Sequence, residues 1–210
     1  MEEINLDPII EQAYQVVEKL IDEQDRYSQP FRDRFEHTKR VLNWAKRIHQ
    51  HEGGDLGIIT LAVLFHDSGW SYDIDHALIG AELAEKFLVQ QGVDRSVIDR
   101  VTSAAQTHNK RLDPTDDLPI ENLIVMDADI LDELGVTTLV WDSMATAIGE
   151  NPSYTKALER NMGFFNGASQ KLVSLQTKTG KKFYLERIAI WKQCLDHLSY
   201  ELGESDELTA

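Results

Sequence analysis

The chain predicts an all-α fold, and three observations carry that prediction. Apolar residues return at helical spacing in one segment after another, aspartates, prolines and glycines bound those segments, and no stretch alternates with period two long enough for a strand. With 210 residues, 42% apolar and 27% charged, it is expected to form one domain with a substantial core. No internal repeat or low-complexity segment is seen.

Asp7-Pro8 reads as a cap followed by proline at the first helical position, with Ile9, Ile10, Ala13, Val16, Val17, Leu20 and Ile21 recurring at helical spacing as an apolar stripe. After Pro30 a second helix is expected from about Phe31 to His51, stopped by Gly53-Gly54; His37 lies four residues before Val41 on its inward face. Asp55 caps a third helix, Leu56 to about His66, apolar on nearly every side and therefore central. Asp75 and Asp94 cap the next two, the second closing at His108, and Lys110 to Pro119 is loop by composition. Pro119 opens a helix in which Asp127, Asp129 and Asp132 interrupt apolar residues up to Gly135. A helix from Val136 to about Ile148 follows, then two more around a break at Lys178 to Lys182, and a disordered tail from Gly203. The expected division is 1–30, a helix packing on the core; 31–135, the core; 136–202, a helical extension; and 203–210, the tail.

A net charge of −15 disfavours a nucleic-acid polymer or an anionic membrane as partner, because binding phosphate backbones needs excess Lys and Arg. A small phosphorylated substrate stays open if a metal supplies local positive charge. The single Cys194 excludes an internal disulfide, and Met1-Glu2-Glu3 begins no hydrophobic signal core, so the expectation is cytoplasmic.

His66 and Asp67 end the apolar run Leu56 to Phe65, where a buried carboxylate loses several kcal/mol of hydration, roughly, unless something binds it. Adjacent helical residues point about 100° apart, so both can face one ion only where the helix ends or bends. Asp129 poses the same problem on a later apolar helix, and His37 faces inward on an earlier one. Two imidazoles and two carboxylates drawn from separate helices suit a first-row divalent ion better than calcium. Taken singly, each residue reads more readily as a hydrogen-bonded core histidine or a capping aspartate; the conjunction favours a metal site.

His37, then His66-Asp67, then Asp129 in Asp127-Ala128-Asp129-Ile130-Leu131, all on helices, resembles the HD-domain metal-dependent phosphohydrolase superfamily. His37-Thr38-Lys39-Arg40-Val41 and the run Asp127 to Gly135 look like its small bacterial hydrolases, which include a nucleoside triphosphate pyrophosphohydrolase. The resemblance covers about Phe31 to Gly135. It implies a bundle of eight or nine helices, with His37, His66, Asp67 and Asp129 as ligands of one divalent ion (Mn, Fe, Co, Ni, Zn or Mg) and room for a second. His76 and His108 lie where dinuclear members place two more histidines; the alternatives are a role touching substrate or water, or a surface or capping role. Asp67 would also orient the attacking water. Arg40 and Lys110 are phosphate candidates, with ordinary surface charge as the other reading, and Arg111 is a weaker one. Asp127 is expected to order a ligand from behind, and Trp70 either stacks on a base or packs on its turn. Ser68-Gly69-Trp70-Ser71 lacks the acidic pair of the alarmone hydrolases and the glutamate of the 5′-deoxynucleotidases, and no Gly-Tyr-Pro signature of cyclic dinucleotide phosphodiesterases occurs. The implied activity is hydrolysis of a small phosphorylated metabolite, a nucleotide first, against the alternative of a non-catalytic module that keeps the metal site.

Overall fold

The caps anticipated from the aspartates form where a side-chain oxygen reaches a free amide of the first turn. Asp55 accepts from the Ile58 N–H at 3.1 Å and Asp75 from the Ala77 N–H at 3.1 Å, and each starts a helix at the next residue. The computed structural model describes residues 5–23, 34–69, 75–110 and 117–205. Among these the chain forms nine α-helices and no strand: α1 (Asp7–Asp22), α2 (Arg34–Glu52), α3 (Leu56–Phe65), α4 (His76–Gln90), α5 (Arg95–Thr107), α6 (Ile120–Asp132), α7 (Val136–Ala147), α8 (Tyr154–Ala168) and α9 (Lys178–Glu201). No helix among them is long and apolar enough to cross a membrane.

The backbone divides into two compact units, Met1–Asp129 and Ile130–Ala210. In the first, α3 lies at the centre, touching α1, α2, α4 and α5. Its composition explains this: every residue from Ile58 to Phe65 is buried, so the helix needs neighbours all round. α1 buries Ile9, Ala13, Val17 and Ile21, a narrower stripe than expected since Val16 is exposed, and α2 offers Val41, Ala45 and Ile48 as helical spacing predicts. Glu121 joins three segments here, accepting from the Asp55 backbone N–H at 2.9 Å and from Arg100 at 2.8 Å. In the second unit α7, α8 and α9 pack on one another; Trp191 of α9 is fully buried, its ring edge-on to Phe165 of α8 with centroids 5.3 Å apart.

Four local expectations are corrected. Asp7 makes no side-chain cap; α1 is bounded by Leu6, and Asp7 lies in the first turn, where its charge still suits the helix dipole. Asp94 also caps without a side-chain bond. The break before the last helix is not at Lys178 to Lys182: Thr177 accepts from the Gly180 N–H at 2.8 Å, so those lysines open α9, and the interruption lies at 169–177 with a 3-10 turn at Lys171–Ser174. Gly203 is no part of a disordered tail but the left-handed residue (φ 71°) closing α9, with Glu204 N–H donating to Ser199 O at 2.9 Å; residues 206–210 lie outside the described residues.

Candidate metal centre

The centre is built where α3 stops. His66 still donates its backbone N–H to Ala62 O at 2.9 Å, but Ser68 then folds back, its N–H at 3.1 Å and its hydroxyl at 2.9 Å both on Phe65 O. That tight turn ends α3 at His66 and Asp67, and the two side chains reach one point, His66 Nε2 lying 3.8 Å from Asp67 Oδ2. Two glycines make room for it. A Cβ on Gly80 would lie 2.4 Å from Phe65 O and 2.8 Å from His66 O, and one on Gly69 would lie 2.3 Å from the Ile79 side chain. Only hydrogen at these positions lets α4 sit against the end of α3 and bring His76, one turn before Gly80, to Asp67.

Four side chains from α2, α6 and this turn converge. His37 Nε2 is 3.3 Å from Asp129 Oδ1, 3.5 Å from Asp67 Oδ2 and 3.4 Å from His66 Nε2; His66 Nε2 is 3.7 Å from Asp129 Oδ1 and 3.8 Å from Asp67 Oδ2. His66 is fully buried, with His37 and Asp67 nearly so. The His66 Nδ1 lies 2.6 Å from Val63 O, and because a carbonyl only accepts, Nδ1 must carry the proton and Nε2 offers its lone pair to the cluster. Ligand atoms ~2.1 Å from one ion and spread tetrahedrally lie ~3.4 Å apart, close to the separations among His37, His66 and Asp129, which could hold a metal ion.

A second group shares Asp67. Its Oδ1 lies 3.4 Å from His76 Nε2 and 3.6 Å from His108 Nε2, and those two nitrogens are 3.3 Å apart. His108 Nδ1 donates to Ala105 O at 2.7 Å, which again turns Nε2 inward. His66, Asp67 and His108 thus form a second set able to hold a cation, beside His37, His66 and Asp129. His76 opens α4 and His108 follows the last residue of α5, as expected, and their rings are 5.2 Å apart.

The cluster's electrostatics keep both acids ionised. Burial pushes the Asp67 carboxyl up, but His66, His108 and Arg34 outweigh it and hold it well below the usual range; burial of Asp129 is overcome by His37 and His66 in the same way. Burial also lowers His76, whereas for His108 burial is outweighed by Asp67 and Asp129 and its pKa rises. Burial thus favours the neutral form of His76, and the two aspartates favour the charged form of His108.

Arg34 was not anticipated. Its Nη2 donates to Asp67 Oδ2 at 2.5 Å, with the Arg34 side chain 25% exposed and that of Asp67 4%. The available signal was its place three residues before His37, on the same face of α2. Of the other candidates, Arg40 is half-buried on α2, one turn past His37, and Lys110 is exposed two residues past His108. Asp127 is fully buried on α6, and backbone carbonyls hold the Nδ1 atoms of His66 and His108. Trp70 and Arg111 lie outside the described residues.

Residues 34–134 match the HD domain family, a span from the start of α2 to just past α6. A comparison with curated proteins finds no match. Among solved structures, an HD-superfamily hydrolase from Bacillus thuringiensis is 19% identical with a TM-score of 0.73, covering 96% of this chain and 100% of its own. Bacillus subtilis YpgQ in complex with ADP is 22% identical with a TM-score of 0.69, covering 99% and 100%. A predicted HD-superfamily hydrolase from an uncultured Thermotogales bacterium is 23% identical with a TM-score of 0.63, covering 96% and 99%. At these identities the likeness is one of fold, along nearly the whole of each chain. His37, His66, Asp67 and Asp129 all fall inside the matched segment, so residues 34–134 of the chain are an HD domain.

Proposed function

We propose that this protein is a metal-dependent phosphohydrolase acting on a small phosphorylated metabolite, with a nucleotide as the substrate class. The observation that carries the reading is the pair of donor sets that share His66, with His37 and Asp129 in one and Asp67 and His108 in the other, and a guanidinium on Asp67 at their edge. His37, His66, Asp67 and Asp129 would hold one divalent ion, and His108 with Asp67 and His66 offers donors for a second. Such an ion supplies Lewis acidity, making water a competent nucleophile at neutral pH and drawing charge from a phosphoryl oxygen.

The chain's own residues supply the rest. Asp67 turns Oδ2 to the metal donors and Oδ1 to His76 and His108, so a water between these groups is oriented by a fixed acceptor. His76 Nε2, 3.4 Å from Asp67 Oδ1 and favoured in its neutral form by burial, accepts a proton there, and His108 Nε2 faces the same oxygen at 3.6 Å. Arg34, and further out Arg40 and Lys110, hold the negative phosphate in a chain whose overall charge opposes it. Nucleotide recognition is supported by ADP in the YpgQ complex. Asp127 supports the centre from the interior of α6.

The test is turnover of a panel of nucleotides and sugar phosphates with Mn2+ present, read separately for pyrophosphate and orthophosphate. Release of either from a nucleotide is the expected result. No hydrolysis of any phosphate ester or anhydride by metal-loaded protein would refute the reading.

A further inference from the structure

The ion pair between Arg34 and Asp67 has consequences for how the centre fills. Asp67 Oδ2, which accepts from Arg34 Nη2 at 2.5 Å, is also the oxygen that faces His37 Nε2 at 3.5 Å and His66 Nε2 at 3.8 Å. Oδ1 points the other way, to His76 and His108. One oxygen therefore serves both an internal cation and the histidine cluster that fits an external one. We propose that Arg34 and a divalent ion compete for Asp67 Oδ2, and that the ion, on taking this oxygen, passes the guanidinium to the anionic ligand, so that metal loading arms the anion site. The inference rests on the metal-centre reading above.

Three physical points support the exchange. A guanidinium and a divalent ion sharing one oxygen would lie within a few ångströms of each other, where like charges repel strongly away from bulk water. Of the two partners only Arg34 can yield, because its side chain is 25% exposed on a flexible stem whereas Asp67 is 4% exposed in a hydrogen-bonded turn. Once displaced, the guanidinium keeps its place one turn before His37, beside the donors, and its planar fork matches two phosphate oxygens. Linkage then requires reciprocity: if metal raises anion affinity through Arg34, anion raises metal affinity by the same factor.

The experiment needs no catalysis. Calorimetric titration of Mn2+ into metal-free protein should show Arg34→Gln binding about tenfold more tightly than wild type, ~1.4 kcal/mol. A parallel titration uses pyrophosphate with no divalent ion present. Asp67→Asn removes the carboxylate that Arg34 Nη2 donates to and should bind pyrophosphate about tenfold more tightly than wild type; Asp129→Asn removes the same charge from the same cluster and leaves that pair intact, and should gain far less. Adding Arg34→Gln to Asp67→Asn should abolish the gain. Equal gains in the two asparagine variants, or no gain in either, would overturn the exchange, as would Mn2+ affinity unchanged or weakened in Arg34→Gln. Failure of wild type to bind any divalent ion would instead sink the metal-centre reading, so the two failures are told apart.

Discussion

Replacing Gly80 with alanine tests whether the joint between α4 and the end of α3 sets the geometry of the centre. Helix propensity alone predicts that the change stabilises, by up to about 1 kcal/mol, because alanine is the better helix former. The structure predicts the opposite. The new Cβ would sit 2.4 Å from Phe65 O and 2.8 Å from His66 O, both backbone atoms that no rotamer change can move. Carbon and oxygen settle at about 3.3 Å, so the helices must separate by about 0.9 Å. Overpacking of this kind costs about 1–3 kcal/mol. Set against the propensity gain, a loss of up to about 2 kcal/mol remains, which lowers the urea midpoint by up to ~1 M for a slope near 2 kcal/mol/M. The shift falls on the turn carrying His66 and Asp67, and metal ligands tolerate only about 0.5 Å of displacement. Mn2+ affinity should therefore fall about tenfold or more in the same variant. Equilibrium urea unfolding followed by far-UV circular dichroism, paired with metal titration, reads both effects. A variant as stable as wild type, with undiminished metal affinity, would refute the close-approach argument.

Asp67→Ala should abolish turnover, by about a thousandfold or more, with the far-UV helical signal retained; steady-state phosphate release and circular dichroism measure the two. Chelation should lower the thermal midpoint, and adding back a divalent ion at about 100 times its dissociation constant should restore ~2.7 kcal/mol, visible by calorimetry. Burial raises the Glu121 carboxyl, but the Asp55 N–H and Arg100 more than offset this, so its folded pKa lies below the ordinary value. Its stabilisation is therefore complete above the unfolded value of about 4.3 and lost as pH falls through the folded one. The stability gap between wild type and Glu121→Gln should accordingly close as pH drops below about 4; a gap unchanged down to pH 2 to 3 would contradict that assignment.

Much of the centre was legible because polar groups on apolar helices conflict with burial. His37, Asp67 and Asp129 each interrupt a hydrophobic stripe, and His66 closes the most apolar helix in the chain; such conflicts show in one dimension because helical period alone predicts which side is buried. The break in the last segment was misplaced for the complementary reason. Three lysines near Thr179-Gly180 look like a loop by composition, yet Thr177 caps the segment, and one hydrogen bond outweighs the glycine. Arg34 stayed hidden because an arginine in a first helical turn is ordinary surface charge until the residue it meets, thirty-three positions later, is known.

The sequence by itself determined the helical class, the caps at Asp55 and Asp75, the inward stripes and the four metal-competent side chains, since each follows from periodicity and local hydrogen bonding. Tertiary structure decided which atoms meet: that Asp67 shows one oxygen to Arg34 and the other to His76 and His108, and that Gly80 must lack a side chain. Those facts depend on the distance between backbones far apart along the chain, and a local pattern carries no record of that distance.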